Sequence, residues 1–393
     1  MSTIKVNSIK NTATNDGGIG IDNSGHVQIE NVQLPSAGAL SNRNLIINGA
    51  MQVAQRATTV TGLTNGDGTY HTVDRFKFGT PGSPTYQFTM TQSTDAPEGF
   101  GHSTRFDTTT AQATLVTSDS AFFETRLEGQ DLLQLKYGTS NAEDVTLSFY
   151  VKGSETGTYV VWLYNSSGDD SACTQTYTIN SADTWEYKQI TIAGDTALAI
   201  DNSKNARFYV RWMLAAGPSY TSGTASTTWT NASVTNANRY VGQTVNLASS
   251  TDNDWAITGV QLEVGSIATP FEHRSYSDEL VRCQRYCYRV QGDTTEKRAI
   301  GMGLARSSTA LRCVVPLPTT MRANQQNVTE SGLECMYRTS ATEVSMTASQ
   351  NEGENAVIVG LNADSGTPFT AGDSILLRVT NSDAAFFQVE SEL

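Results

Sequence analysis

Flat aromatic rings beside a cation are the chemistry this sequence offers most plainly. In the run Thr158-Tyr159-Val160-Val161-Trp162-Leu163-Tyr164-Asn165 the β-formers are nearly continuous, with Gly157 and Ser166 at the two ends. On a strand the side chains alternate, so Val160, Trp162 and Tyr164 take one face and Tyr159, Val161 and Leu163 the other. In Arg207–Leu214, Phe208, Val210, Trp212 and Leu214 oppose Tyr209, Arg211 and Met213 by the same rule. A pyranose lays its C–H face on a ring while its hydroxyls find polar edges. Tyr164, Tyr209 and Arg211 are therefore the candidate carbohydrate-binding residues. Trp162 and Trp212 are assigned to the core, since a sandwich of this size needs large apolar fillers.

Other chemistries find less material. Four histidines stand at 26, 71, 102 and 273, none in the HExxH spacing of a zinc protease, and no Gly-x-Ser-x-Gly elbow or Walker loop occurs. Gly301-Met302-Gly303 opens like a dinucleotide fingerprint, but Arg306 stands where its third glycine belongs. Glu124, Glu128, Asp131, Asp169, Asp170 and Glu263 would suit a glycoside hydrolase only if the fold paired two of them; they read better as surface charge, and no catalytic residue is expected. The turn Asn165-Ser166-Ser167-Gly168-Asp169-Asp170 reads as solvated, with calcium as the alternative and no other cofactor expected. Cysteines 173, 283, 287, 313 and 335 are odd in number and lack zinc spacing, so they are expected buried and reduced, with no metal site.

The composition describes the scaffold. Of 393 residues 38% are hydrophobic and only 17% charged, with 32 Gly against 9 Pro, which leaves a large share for Thr, Ser and Asn. Thr suits a half-exposed pleated surface and Gly and Asn suit tight turns, so an all-β chain of short strands is expected. A formal net charge of −13 argues against nucleic acid as a partner. No apolar run approaches a membrane span, and Met1–Val6 lacks the apolar centre of a signal peptide, so synthesis in a cytoplasm without export or membrane insertion is expected.

Along the chain, residues 1–41 hold two short alternating strands around Asn23-Ser24-Gly25, then a linker at Leu34-Pro35-Ser36-Ala37-Gly38. They have too little apolar mass for a core and must dock or trimerise. Residues 42–274 show strand signals at short intervals and predict a sandwich or jelly roll. Residues 275–292 change period: Leu280, Cys283, Gln284 and Cys287 fall at i, i+3, i+4 and i+7 behind capping Ser275, Ser277 and Asp278, which predicts a helical joint over 275–289. Residues 293–393 return to strands and predict a second, smaller β-sandwich as a tip.

Two stretches carry a resemblance beyond patterning. Asn44-Leu45-Ile46-Ile47-Asn48-Gly49-Ala50-Met51-Gln52-Val53-Ala54-Gln55-Arg56, with Tyr70-His71-Thr72-Val73-Asp74-Arg75-Phe76, resembles the entry to a domain of bacteriophage tail-fibre proteins of the marine-phage type. Ile257–Gly265, Ala268–Tyr276, Glu279-Leu280 and Cys283-Gln284-Arg285-Tyr286 resemble its exit. Ser2-Thr3-Ile4-Lys5-Val6 with Gly20-Ile21-Asp22 and Gly25-His26-Val27 is similar to fibre-protein openings. The resemblance implies a jelly roll akin to carbohydrate-binding modules and a homotrimer. It also implies an N-terminal segment fixed to other tail proteins of the virion, and a C-terminal end turned to host surface polysaccharide. The two motifs look like scaffold and supply no sugar contacts. The expected function is host attachment by a structural, non-enzymatic tail fibre. The alternatives are an adaptor, collar or capsid decoration without receptor role, and a polysaccharide depolymerase.

Overall fold

The computed structural model describes residues 42–393 apart from 325, 339 and 352, and before them three strands: β1 (Ser8–Lys10), β2 (Gly18–Ile21) and β3 (Val27–Glu30). These form one antiparallel sheet in which Ile21 lies opposite Val27, the hairpin expected around Asn23. The turn itself and the linker at 34–38 lie outside the described residues.

Eleven strands then build the central unit: β4 (Thr59–Leu63), β5 (Phe76–Gly79), β6 (Gln87–Ser93), β7 (Ser103–Thr110), β8 (Ser120–Glu128), β9 (Val145–Gly153), β10 (Gly157–Asn165), β11 (Ser171–Ile179), β12 (Glu186–Ile192), β13 (Ala206–Ala216) and β14 (Asp254–Val264). They make a five-stranded sheet, β11-β10-β13-β8-β5, and a six-stranded sheet, β12-β9-β14-β7-β6-β4. The chain passes back and forth between the sheets as a jelly roll does. Phe76, Phe123, Trp212, Phe106 and Trp255 fill the space between them, with Phe76 stacked on Phe123 at 5.0 Å. Such ring pairs add about 0.5–1.5 kcal/mol each beyond the area they bury.

Both tryptophans assigned to the core are buried, in different layers. Trp212 lies between the sheets. Trp162 lies on the outer face of the five-stranded sheet, with Phe122, Val160, Met213 and Tyr240, under an excursion over residues 217–245 that contains α1 (Pro218–Thr221). Its indole N–H donates to the Ser233 carbonyl at 3.2 Å.

The two motif stretches meet as one buried clasp. Asn44 donates through Nδ2 to the Val260 carbonyl at 3.0 Å and accepts from the Leu262 amide at 3.1 Å. The Asn48 amide donates to Glu279 at 2.6 Å, while its side chain ties Val53 to Asp74. Arg75 is 2% exposed and lies 3.5 Å over the Tyr286 ring. These residues hold the first and last segments of the jelly roll together, which is a scaffold role.

The helix α2 (Tyr276–Gln284) is shorter than its periodicity predicts. Ser275 caps it by accepting from the Asp278 amide, but the helix stops at Gln284. Arg285 and Tyr286 therefore lie beyond it, and Cys287 opens β15 (Cys287–Gln291). Cys283 and Cys287 are both buried, one by helix packing and one by sheet packing, so their helical spacing is a coincidence of two elements.

The C-terminal unit adds β16 (Arg298–Ala305), β17 (Ala310–Pro316), β18 (Asn327–Ser331), β19 (Leu333–Tyr337), β20 (Ser340–Asn351), β21 (Ala356–Ala363), β22 (Ser374–Val379) and β23 (Phe386–Glu390). The sandwich expected over 293–393 closes on itself. Six strands, β16-β17-β21-β20-β19-β22, form a barrel, and β15-β23-β18 lies against it as a small sheet. Closure removes sheet edges that two open layers would leave unpaired. β15 thus belongs to this unit rather than to a linker. Glu392 pairs with Arg56 at 2.9 Å and with Arg75 in the central unit.

Candidate functional site

Register on the five-stranded sheet decides which side chains share its outer face. Arg126 of β8 lies opposite Tyr209 of β13, which lies opposite Tyr164 of β10. The three form a row across three strands. The Tyr164 and Tyr209 rings are 5.0 Å apart and tilted by 54°, and the Arg126 guanidinium stands 4.6 Å over Tyr209. All three are half-buried. Trp162 stacks on the far side of Tyr164 at 4.9 Å and fixes its plane. Burial and a hydrogen bond to Asp170 push the Tyr164 hydroxyl up, keeping it a neutral donor.

Arg211, expected to join this row, does not. It lies in the next row, opposite Glu124 and Trp162, but its guanidinium is consumed there. Nε donates to Glu124 at 2.7 Å, Nη1 to the Tyr240 hydroxyl at 2.6 Å, and the group lies 3.7 Å over Phe122. A cation so enclosed holds the sheet face in shape and offers nothing to a sugar. The cation beside the tyrosines is Arg126, which sequence reading missed: Nε donates to Glu124 and Nη1 to the Leu393 carbonyl at 3.0 Å, and its side chain is 20% exposed against 12% for Arg211. Alternation within Ala121–Glu128 puts Glu124 and Arg126 on one face, but only the pairing of β8 with β13 sets Arg126 over Tyr209.

Glu124 is the pivot beneath this row. It is fully buried, and its two oxygens accept from Arg126 and Arg211 at 2.7 Å each. Burial alone would raise its carboxyl, yet the two guanidinium groups outweigh it and hold the group below the usual carboxylate range. Both guanidinium planes are thereby oriented by one acid, the charge-assisted geometry that fixes Arg side chains best.

Two of the other carboxylates weighed for hydrolysis, Glu128 and Glu263, have structural partners. Glu128 accepts from Arg285 at 2.8 and 2.9 Å and from the Tyr286 hydroxyl. Glu263 accepts from the Thr269 amide at 2.8 Å and its hydroxyl at 2.6 Å. In the turn weighed for calcium, the carbonyls of Asp169 and Asp170 accept from Asn231 Nδ2 at 2.6 and 2.9 Å. Among the described residues no group of three or more His, Cys, Asp or Glu is placed to hold a metal ion. All five cysteines are buried, and burial pushes the thiols of Cys173, Cys283, Cys287, Cys313 and Cys335 up, away from reactive thiolate. No helix among those residues is long and apolar enough to cross a membrane.

The fold and this face define a class: a nearly all-β protein whose jelly roll presents a pair of tyrosines and an arginine on one outer sheet face. No family model and no curated protein matches the chain. Solved structures overlap it loosely. The enzymatically active domain of tailspike protein 4 of bacteriophage CBA120 aligns at 10% identity over 56% of this chain and 21% of its own, with TM-score 0.28. The family 11 carbohydrate-binding module of Clostridium thermocellum, solved with a mixed-linked tetrasaccharide, aligns at 9% identity over 55% of this chain and 99% of its own, with TM-score 0.26. A family 61 module bound to β-1,4-galactotriose aligns at 9% identity over 56% and 99%, again with TM-score 0.26. Overlaps this loose do not reach to function.

Proposed function

We propose that the chain is a non-enzymatic structural protein of a bacteriophage virion, a tail fibre that attaches to bacterial surface glycans. The observation that carries the glycan part is the row Arg126–Tyr209–Tyr164. Two rings and one cation stand at neighbouring strand positions, with Arg126 held by Glu124, Tyr164 by Trp162, and Tyr209 between them. A pyranose ring covers one tyrosine face, so two adjacent rings suit two successive sugars. The phage part rests on the resemblance carried by the clasp motifs. Replacing Tyr164 and Tyr209 together by Ala is expected to weaken glycan binding about ten-fold or more, since each ring contributes about 1 kcal/mol. Titration of both proteins with the same glycan reads this, and near-ultraviolet dichroism checks that the fold is kept.

The same reading holds that copies assemble as a homotrimer, with residues 1–41 fixed to other tail proteins. Support comes from the barrel's outer wall. Met302, Leu304 and Val314 are 71%, 54% and 46% exposed, and register continues the apolar row from Val314 to Ile358 and from Met302 to Leu376. An apolar row of this kind on a barrel wall suits contact with a second copy. Mass in solution is expected at three times the 42.3 kDa of one chain, falling to one copy in Met302→Arg. A single-copy mass for the unmodified chain removes the trimer from the proposal.

A further inference from the structure

A cleft of about 520 Å³ opens where the central and C-terminal units meet, beside the tyrosine row. Its walls bring together Thr69, Tyr70, His71 and Lys77 of the central unit with Arg289 and Gln388 of the C-terminal unit. Two acids on its rim, Glu390 and Glu392, are taken by Arg56 and Arg75. Two cations are left over. Lys77 lies directly opposite Glu124, but that carboxylate spends both oxygens on Arg126 and Arg211. Arg289 bonds only neutral amides, Gln291 at 2.8 Å and Gln388 at 2.7 Å, and lies 3.8 Å over Phe386. Among the described residues neither cation has a carboxylate within ion-pairing distance, although the chain carries a net charge of −13. Half-buried cations without an acid partner are costly, and a site of this kind is built for an anion to complete.

We infer that this cleft seats the acidic group of a charged sugar, a carboxylate, phosphate or sulfate, whose neighbouring sugars lie on Tyr209 and Tyr164. The inference rests on the glycan reading above and narrows its ligand to an acidic polysaccharide. Lys77 stands one row from Arg126 on the same sheet face, two residues along a strand or about 7 Å, the reach of adjoining sugar units. Tyr70 adds a ring at the cleft wall, 6.0 Å from the Lys77 ammonium. Its hydroxyl donates to the Leu393 carbonyl at 3.1 Å, which fixes that ring. His71 takes no part as a cation, because burial lowers it. Burial first, then Arg126, also lowers Lys77, to about 8, against the opposing pull of Glu124 and Glu392; Arg211 adds to the lowering. Lys77 carries its charge below that value, so acidic-sugar binding weakens as pH rises through it.

The test is an array of bacterial surface glycans, neutral and acidic, the acidic ones grouped by carboxylate, phosphate and sulfate. It is probed with the full chain and with Lys77→Gln and Arg289→Gln. Binding is expected on acidic glycans, falling about ten-fold in Lys77→Gln, less in Arg289→Gln, and declining between pH 7 and 9 in the unmodified chain only. The group of acidic glycans bound identifies the anion. Binding confined to neutral glycans, or acidic binding that Lys77→Gln leaves unchanged, overturns the inference while the glycan reading stands. No binding to any glycan overturns both.

Discussion

Glu124→Ala is expected to lower the stability of the folded chain by about 3–5 kcal/mol, the cost of breaking a buried pair by removing one partner. The carboxylate is fully buried and is the partner of two guanidinium groups, Arg126 and Arg211, whose side chains are 20% and 12% exposed. Its loss leaves both charges on neighbouring strands with no acid between them. Arg126 retains the Leu393 carbonyl at 3.0 Å, and Arg211 retains the Tyr240 hydroxyl, so the sheet still forms but its outer face relaxes. Denaturant unfolding measures the first effect, and loss of glycan binding in a protein that remains folded measures the second. Glu124→Gln keeps the shape and loses the charge, and its effect should fall between wild type and Ala. Glu124 is held below its ordinary value, so the stability it carries is full above that ordinary value and is lost as pH falls below it towards the lower value of the folded state.

Glu128→Ala should be comparably severe, about 3–5 kcal/mol, and should change the shape of unfolding as well as its midpoint. Glu128 is buried at the end of β8, where it receives both ends of the Arg285 guanidinium and the Tyr286 hydroxyl. Arg285 and Tyr286 lie between α2 and β15, so this one carboxylate ties the passage between units to the jelly roll. Arg322 extends the junction by donating to the Lys204 carbonyl at 3.0 Å and the Ser391 carbonyl at 2.7 Å. With Glu128 in place the two units are expected to unfold in one transition. Without it, calorimetry should resolve two, since a polar junction is what couples them. One unbroken transition at an unchanged midpoint would show that the junction does not depend on this residue.

How much of this was legible in the sequence depends on distance along the chain. Alternation within one strand placed Tyr164 with Trp162, and Tyr209 with Arg211, on faces the structure keeps. The fate of Arg211 was not legible. Its acid partner lies 87 residues earlier and its hydroxyl partner 29 residues later, and pairing of distant strands leaves no local mark. Arg126 was missed for the same reason. The helix was legible at its start, where Ser275 is a local cap, and illegible at its end. Cys287 is buried by pairing of β15 with β23, opposite Glu390, about a hundred residues on. Closure of the barrel is likewise a register property, set by β16 pairing with β22 as well as with β17. The clasp was visible only as a long specific motif, because its physical basis is a set of contacts across more than two hundred residues.

The central claim is that the outer face of the five-stranded sheet binds bacterial surface glycan through Tyr164 and Tyr209. Its most direct test is saturable binding of the fluorescently labelled full chain to a panel of bacterial cells, before and after mild periodate cleavage of sugar diols. Binding is predicted to at least one member of the panel, lost on periodate treatment and weakened about ten-fold or more by Tyr164→Ala with Tyr209→Ala. Binding that survives both periodate and the double substitution, or no binding to any cell in the panel, would contradict it.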